Sequence, residues 1–389
     1  MGSYTSLDIG EIELALARNL LGDYGWLFKK SEKTKEKYFY IDNDDHPIVE
    51  ERNAFSTQLE NLRLKLELAG YSPLHSKFVF LDRQYEPLPV KVSQRIVSLL
   101  KNVEISKVRM NLDHTQPSSF TPRYDFGLDE LNYLLSKHRI DDPISHIGEY
   151  SALRLFIENP KNHQEKVIWR YADVVDGGWI SEEEIEQQVE QILPRYLIIT
   201  EGSSDSFIIE KAIQILYPEV KSFFTFIDMT ENYPFTGTGN LYKFCQGLSK
   251  LRLENRTLVI YDNDTEGVNK FNATLNLNLS ENIAVMRLPN LPEDVHFETI
   301  GPNGESHENV NNRAVSIEMF LDLRYKTNQE PRVRWLSYDR VSQSYQRAVE
   351  YKEKYVRIFG GIKTKRAKFD FSKLDGLLKA IFEMCQTIS

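Results

Sequence analysis

Carboxylates gather in two short stretches of the chain, and each stretch follows an apolar run. The first is Tyr196-Leu-Ile-Ile-Thr200 leading into Glu201-Gly-Ser-Ser-Asp205. The second is Thr257-Leu-Val-Ile-Tyr261 leading into Asp262-Asn-Asp264-Thr-Glu266-Gly267. Carboxylates sharing one crevice repel one another unless a cation is present, and an all-oxygen donor set favours a hard divalent ion, Mg²⁺ or Mn²⁺. Such an ion can activate water and offset charge developing on a phosphate, so the chemistry these residues suit is phosphodiester hydrolysis.

The apolar runs explain how the carboxylates would be positioned. Short stretches rich in Ile, Val, Leu and Tyr read as buried parallel strands. Both acidic groups should then emerge at strand C-termini, where open α/β sheets bind their ligands. A helix should follow Glu201 as far as Tyr217, capped by Ser203 or Ser204 and closed at Pro218. Asp205 falls in its first turn, where the helix dipole favours negative charge. A second strand is expected over Ser222 to Met229. The turn Thr236-Gly-Thr-Gly-Asn240 and a helix to about Leu251 come next, and the third strand delivers Asp262 and Asp264. Ile283 to Leu288 makes a fourth strand. This alternation predicts a parallel sheet with helices on both faces. Asp-x-Asp-x-x-Gly or Glu-Gly alone is ordinary turn composition. The weight lies in their order and in the βα units between them. Gly237-Thr-Gly239 lacks the third glycine of a dinucleotide loop, and no Gly-x-x-x-x-Gly-Lys-Ser/Thr loop occurs, which argues against nucleotide hydrolysis.

At Glu201 and Asp262/Asp264 the chain resembles the Toprim family, the metal-binding domain shared by topoisomerases, bacterial primases and overcoming-lysogenization-defect nucleases. Asp-x-Asp-x-Glu-Gly looks like the type IA topoisomerase form, whereas Asp205 is more like the nuclease branch. The likeness covers about residues 194 to 322. It implies Glu201, Asp262 and Asp264 as catalytic residues on a first metal, with Glu201 doubling as acid or base. Asp205 would support a second metal, completed by Glu266 or Glu318. Glu318, in Ser316-Ile-Glu-Met-Phe320, is similar to a late acidic position of the nuclease branch, but an exposed helical glutamate is the plainer reading of it. Asp294 is open in the same way. The nuclease branch often carries a catalytic lysine, and no lysine in this sequence stands out for that role.

Composition bounds the alternatives. The chain has 389 residues, 41% hydrophobic, which suits two or three globular domains. No apolar run reaches the length of a membrane span, and the first residues lack the pattern of a signal peptide. Cys245 and Cys385 are the only cysteines, so no disulfide framework or zinc ribbon is available and the reducing cytoplasm is the expected compartment. The missing zinc module argues against a replicative primase. No region large enough for a topoisomerase DNA gate is left over.

The N-terminal region reads as mixed α+β. Strands are expected near Ser3 to Ile9 and Lys37 to Ile41. Helices are expected over Asn53 to Ala69, Val90 to Lys101, Asp129 to Lys137 and Glu149 to Glu158. Ser181-Glu-Glu-Glu184 is a capping box opening an acidic helix. The opening residues, Trp26-Leu-Phe28, Ile147-Gly-Glu-Tyr-Ser-Ala-Leu-Arg154 and Asp176-Gly-Gly-Trp-Ile180 resemble the N-terminal domain found upstream of HEPN or Toprim catalytic modules. The implied organisation is an N-terminal domain over 1–180, a helical linker over 181–194, a Toprim domain over 195–325 and a basic helical extension over 326–389.

Charge supports a nucleic-acid partner only locally. The chain carries −9 overall, but residues 326–389 hold 14 Lys/Arg against 7 Asp/Glu, or +7, leaving −16 elsewhere. Lys363, Lys365, Arg366 and Lys368 follow Gly360-Gly361 and are the candidate phosphate contacts. A solvated helix face with aromatic core positions accounts for the same charges equally well. The combined expectation is a Mg²⁺- or Mn²⁺-dependent endonuclease, DNA slightly favoured over RNA as substrate, serving antiviral defence. A homo-oligomer is expected, with a neighbouring-gene protein such as an ATPase as a further partner and no membrane. The alternative is a non-catalytic Toprim-based protein that binds nucleic acid or a nucleotide.

Overall fold

The computed structural model describes residues 2–41, 46–71, 78, 80–81, 85–111, 120–189, 195–227, 237–251, 255–292, 296–339 and 344–388. The chain divides into two compact units, Met1–Ile192 and Leu193–Ser389.

The first unit is built on a five-stranded sheet: β1 (Tyr4–Ile9), β2 (Ile12–Arg18), β3 (Lys33–Ile41), β4 (Pro47–Gln58) and β5 (Lys166–Arg170). Their order is β2-β1-β5-β4-β3, and every pairing is antiparallel. Alternation along β1 sends Leu7 and Ile9 into the core. Trp169, paired with both Leu7 and Phe55, is fully buried against the rings of Phe28, Phe55, Tyr24 and Tyr171. Helices α1 (Val90–Leu100), α2 (Asp129–Lys137) and α3 (Glu149–Phe156) fall where the apolar spacing puts them.

Two sequence expectations fail in this unit. The helix over Asn53 to Ala69 does not begin at Asn53, because Ala54 to Gln58 belong to β4 and pair with β5. Only a 3₁₀ turn at Leu59–Leu62 and a short helix at Arg63–Leu68 remain. Phe55 gains more from burial in the sheet than its neighbours gain from a helix turn, so tertiary packing overrides local spacing. The segment opened by Ser181 is also no linker. Ser181 Oγ accepts from the Glu184 amide at 3.2 Å and the Glu184 carboxylate accepts from the Ser181 amide at 2.8 Å, completing the capping box. The helix it opens, α4 (Glu182–Gln188), is part of the first unit. Ile185 is fully buried, and Glu182 accepts from Asn53 at 2.8 Å and pairs with Lys33 at 3.0 Å.

The second unit contains a four-stranded parallel sheet: β6 (Tyr196–Ile199), β7 (Phe224–Phe226), β8 (Arg256–Tyr261) and β9 (Ile283–Arg287), in the order β9-β8-β6-β7. Helices α5 (Ser203–Leu216), α6 (Thr238–Leu248) and α7 (Thr265–Leu275) alternate with the strands. Ile199, Val259 and Tyr261 pack with Leu241, Cys245 and Leu248 of α6 on one face. A mixed sheet follows, β11-β10-β12-β13, from β10 (Phe297–Gly301), β11 (Gly304–Glu308), β12 (Val333–Asp339) and β13 (Ser344–Val349). Two helices close the unit, α8 (Lys352–Gly360) and α9 (Ser372–Gln386).

Residues 326–389 are therefore not a helical extension. Alternating β-branched and aromatic residues in Val333-Arg-Trp-Leu-Ser-Tyr-Asp and Ser344-Tyr-Gln-Arg-Ala-Val pair as strands. α9 covers a core face rather than projecting. Phe382 stacks on Phe224 of β7 at 5.5 Å and meets Tyr217 edge-on at 5.2 Å. Among the described residues no helix is long and apolar enough to cross a membrane.

Candidate functional site

The order β9-β8-β6-β7 reverses direction between β6 and β8, which pair in parallel with Ile199 opposite Val259. Chains leaving such a switch point diverge and open a crevice at the strand C-termini. Glu201 and Asp262 are the first carboxylates beyond those two ends. Glu201 ties the crevice together: one carboxylate oxygen accepts from the Asp262 amide at 2.9 Å, the other from Thr238 Oγ1, at the start of α6, at 2.7 Å.

The remaining groups arrive on helix starts and one turn. The N-cap of α5 is Gly202, not Ser203 or Ser204, because Asp205 at the third helical position accepts from the Gly202 amide at 2.9 Å and leaves the serines no capping role. The helix ends at Leu216. Asp264 caps α7, its Oδ1 accepting from the Gly267 amide at 2.7 Å. Glu266 lies half-buried in the first turn of that helix. Glu318 is 4% exposed, in a 3₁₀ turn at Ile317–Phe320, so the reading of it as an exposed helical glutamate is wrong. Its Oε2 accepts from Ser316 Oγ at 2.7 Å and lies 3.5 Å from Lys352 Nζ.

Electrostatics join these groups into one cluster. Burial pushes Glu201 up to about 7 from its ordinary 4.5, and the charges of Asp264 and Glu266 add to the rise. Burial and the neighbouring Glu318 and Glu201 carry Asp205 up to about 7. Asp262 is raised well above the usual carboxylate range by burial and by Asp205, Glu201 and Asp264, and Asp264 is raised by burial too. Burial alone would lower Lys352, but Glu318, Asp262 and Asp205 outweigh it and hold the ammonium charged. Among the described residues, Lys352 is the cation whose charge reaches Glu318, Asp262, Asp205 and Asp264. The Asp262 carboxylate accepts no hydrogen bond from any described residue, although it is the most strongly repelled.

A hard divalent cation fits that donor set: oxygens only, an excess of negative charge, and a central carboxylate without a donor. Among the described residues no three His, Cys, Asp or Glu side chains already converge as ligands of one ion.

Gly267 explains the last position of the Asp-x-Asp-x-x-Gly pattern. A Cβ there would come within 2.3 Å of the Asp262 carbonyl oxygen and 2.9 Å of its carbon, which are backbone atoms with nowhere to go. Gly267→Ala should therefore cost about 1–3 kcal/mol, as overpacking does. It should also disturb Asp262 and Asp264 together. Thermal melting and Mn²⁺ titration of the variant would check both, and an unshifted melt would contradict the close approach.

Sequence reasoning missed Lys352 and Thr238. Thr238 had a local signal, the Gly-Thr-Gly turn opening a helix. Lys352 had none, since it joins the carboxylates only through the fold. The four basic residues Lys363, Lys365, Arg366 and Lys368 are exposed between α8 and α9. The structure does not bring them into the carboxylate cluster. Asp294 lies outside the described residues.

Residues 1–192 match the family model HEPN/Toprim N-terminal domain 1, which supports reading the first compact unit as a domain of that family. No curated protein and no solved structure matches the chain.

Proposed function

We propose that this protein is a nuclease of the Toprim type, hydrolysing phosphodiester bonds of DNA or RNA with Mg²⁺ or Mn²⁺, and that it acts in antiviral defence. The observation that carries the reading is the set Glu201, Asp205, Asp262, Asp264 and Glu318 at the switch point of a parallel sheet, with the ammonium of Lys352 beside Glu318. The N-terminal family match supports a link to Toprim or HEPN nuclease modules.

Glu201, Asp262 and Asp264 are the residues to hold a first metal, with Asp205, Glu318 and Glu266 available for a second. When bound, the metal would lower the pKa of a water and offset charge on the phosphate. Glu201, lying between the Asp262 amide and Thr238 at the crevice, is the group offered to pass a proton. Thr238 and the Asp262 amide fix its orientation. Lys352 places a fixed positive charge where a phosphate oxygen gains negative charge. Asp264 does double duty as the helix cap, so its position depends on the α7 backbone. Lys352, 3.5 Å from Glu318 beside the carboxylates, favours catalysis over the non-catalytic reading.

The test is incubation with plasmid DNA, single-stranded DNA and total tRNA under Mg²⁺ or Mn²⁺. Cleavage of at least one is expected, falling by at least about 10³-fold in Asp262→Ala, a loss typical of removing a metal-centred acid. Cleavage surviving that substitution would remove the site from the reaction.

A further inference from the structure

The middle residue of Asp262-Asn-Asp264 is more than a spacer. Asn263 is fully buried and its carboxamide is used on both sides. Nδ2 donates to Asn290 Oδ1 at 2.8 Å, and Oδ1 accepts from Arg287 Nη1 at 2.9 Å. Arg287 is the last residue of β9, opposite Tyr261. The same Nη1 also donates to Asn312 Oδ1. Asn312 holds a left-handed backbone, φ 63°, in the turn that leads toward Glu318. Between that turn and Glu318, Ala314 pairs with Asp264 and Val315 with Asn263, antiparallel. Asn311 docks the same turn a second time, its carboxamide exchanging bonds of 2.8 and 2.9 Å with the Leu291 backbone.

Three segments thus meet at one guanidinium: the end of β9, the stretch carrying Asp262 and Asp264, and the turn before Glu318. A ladder of so few pairs is marginal by itself, so side-chain ties must hold its register. Among the described residues Arg287 has no carboxylate partner, and both its acceptors are neutral amides. Nor is its charge what acts on the acids, since the cation felt at Asp262 and Asp264 is Lys352. What Arg287 supplies is geometry. The two coplanar N–H bonds of Nη1 aim at two acceptors at once, which the freely rotating ammonium of a lysine does not reproduce.

We propose that Arg287 is a positioning residue for the divalent ions. Acting through Asn263 and Asn312, it sets the spacing between Asp262 and Asp264 on one side and Glu318 on the other. Divalent ions make this spacing matter, because Mg²⁺ demands near-ideal octahedral geometry from its oxygens. Groups that orient ligands without touching the ion are therefore part of a metal centre. The inference rests on the metal-site reading above and adds the residue that fixes its dimensions.

Titration of the full-length chain with Mn²⁺, followed by the electron paramagnetic resonance of the free ion, reads affinity without cleavage. Arg287→Met should weaken Mn²⁺ binding about 10–100-fold, the usual cost of deleting a group that orients a metal ligand. Arg287→Lys should do no better, although it keeps the charge. Asn312→Gly suits the left-handed backbone and removes only the amide. It should lose about tenfold in Mn²⁺ affinity while melting in EDTA close to wild type, which separates positioning from a fold that fails. Unchanged affinity in both Arg287→Met and Asn312→Gly overturns the proposal. So does tighter binding by Arg287→Met, which would make Arg287 a competing charge, and so does wild-type affinity in Arg287→Lys. Arg287-dependent Mn²⁺ binding by a chain that cleaves neither DNA nor RNA would sink the nuclease reading and keep the positioning role. Unchanged affinity in variants of an active nuclease sinks the positioning role alone, and a wild type that takes up no Mn²⁺ overturns both.

Discussion

Replacing Lys352 with Met should slow cleavage and tighten Mn²⁺ binding at once. The ammonium is held charged by Glu318, Asp262 and Asp205, so it competes with a divalent ion for the same negative field. Two unit charges 4 Å apart interact by about 4 kcal/mol at an effective dielectric near 20. Removing the lysine returns part of that attraction to the metal. The rate should nonetheless fall about 10²–10³-fold, the usual loss when one preorganised charge aimed at the reacting group is deleted. The metal-free variant should also be less stable, because Glu318 is 4% exposed and loses its ion-pair partner. Saturating Mn²⁺ should restore much of that stability, and Lys352→Arg should keep the stability while recovering only part of the rate. Single-turnover cleavage, calorimetric Mn²⁺ titration and melting curves read the three effects separately. Wild-type rates from Lys352→Met would show that the lysine only neutralises buried charge.

The parallel sheet and its carboxylates were legible because their signals are local. Ile-Ile-Thr-Glu-Gly and Val-Ile-Tyr-Asp-Asn-Asp each hold an apolar strand and the turn that ends it, so Glu201, Asp262 and Asp264 could be placed without the fold. Glu318 and Lys352 could not. Glu318 sits in a 3₁₀ turn whose burial depends on packing against α5 and α8, and Lys352 enters through a left-handed residue that no spacing rule marks. β12 and β13 were hidden for another reason. Their many charges read as a solvated helix, whereas the exposed faces of a mixed sheet absorb Arg334 and Glu350 as an ion pair at 2.6 Å. Asn53 to Gln58 failed for the converse reason, since leucines just downstream imposed a helical period on residues that a distant strand claims.

Metal-free protein should melt higher at pH 5.5 than at pH 8, opposite to what a surface rich in paired carboxylates suggests. Glu201 and Asp205 titrate near 7 in the folded state against ordinary values of 4.5 and 3.8, and Asp262 and Asp264 are raised as well. Between those ordinary values and about pH 7 the folded chain therefore holds protons that the unfolded chain has released, so stability falls as pH rises through this window. A shift as large as that of Glu201 is worth on the order of 3 kcal/mol for one isolated group. At about 2–4 °C per kcal/mol for a unit of this size, the melting point should drop by roughly 5–10 °C from pH 5.5 to pH 8. Carboxylates lowered by their partners, such as Glu182 beside Lys33, do not oppose this, because their stabilisation is lost only below about pH 4.5. A divalent ion favours the ionised carboxylates, so saturating Mn²⁺ should flatten the pH dependence and raise the melting point most at pH 8, by about 2.7 kcal/mol at a hundredfold excess over Kd. Asp262→Asn should shrink both the slope in EDTA and the gain from Mn²⁺, since it removes the carboxylate on which the other charges converge. Scanning calorimetry at the two pH values, with EDTA or Mn²⁺, decides the matter. A metal-free melting point that is flat or rises toward pH 8 would mean that the carboxylates are hydrated rather than crowded, and that nothing in the crevice waits for a cation.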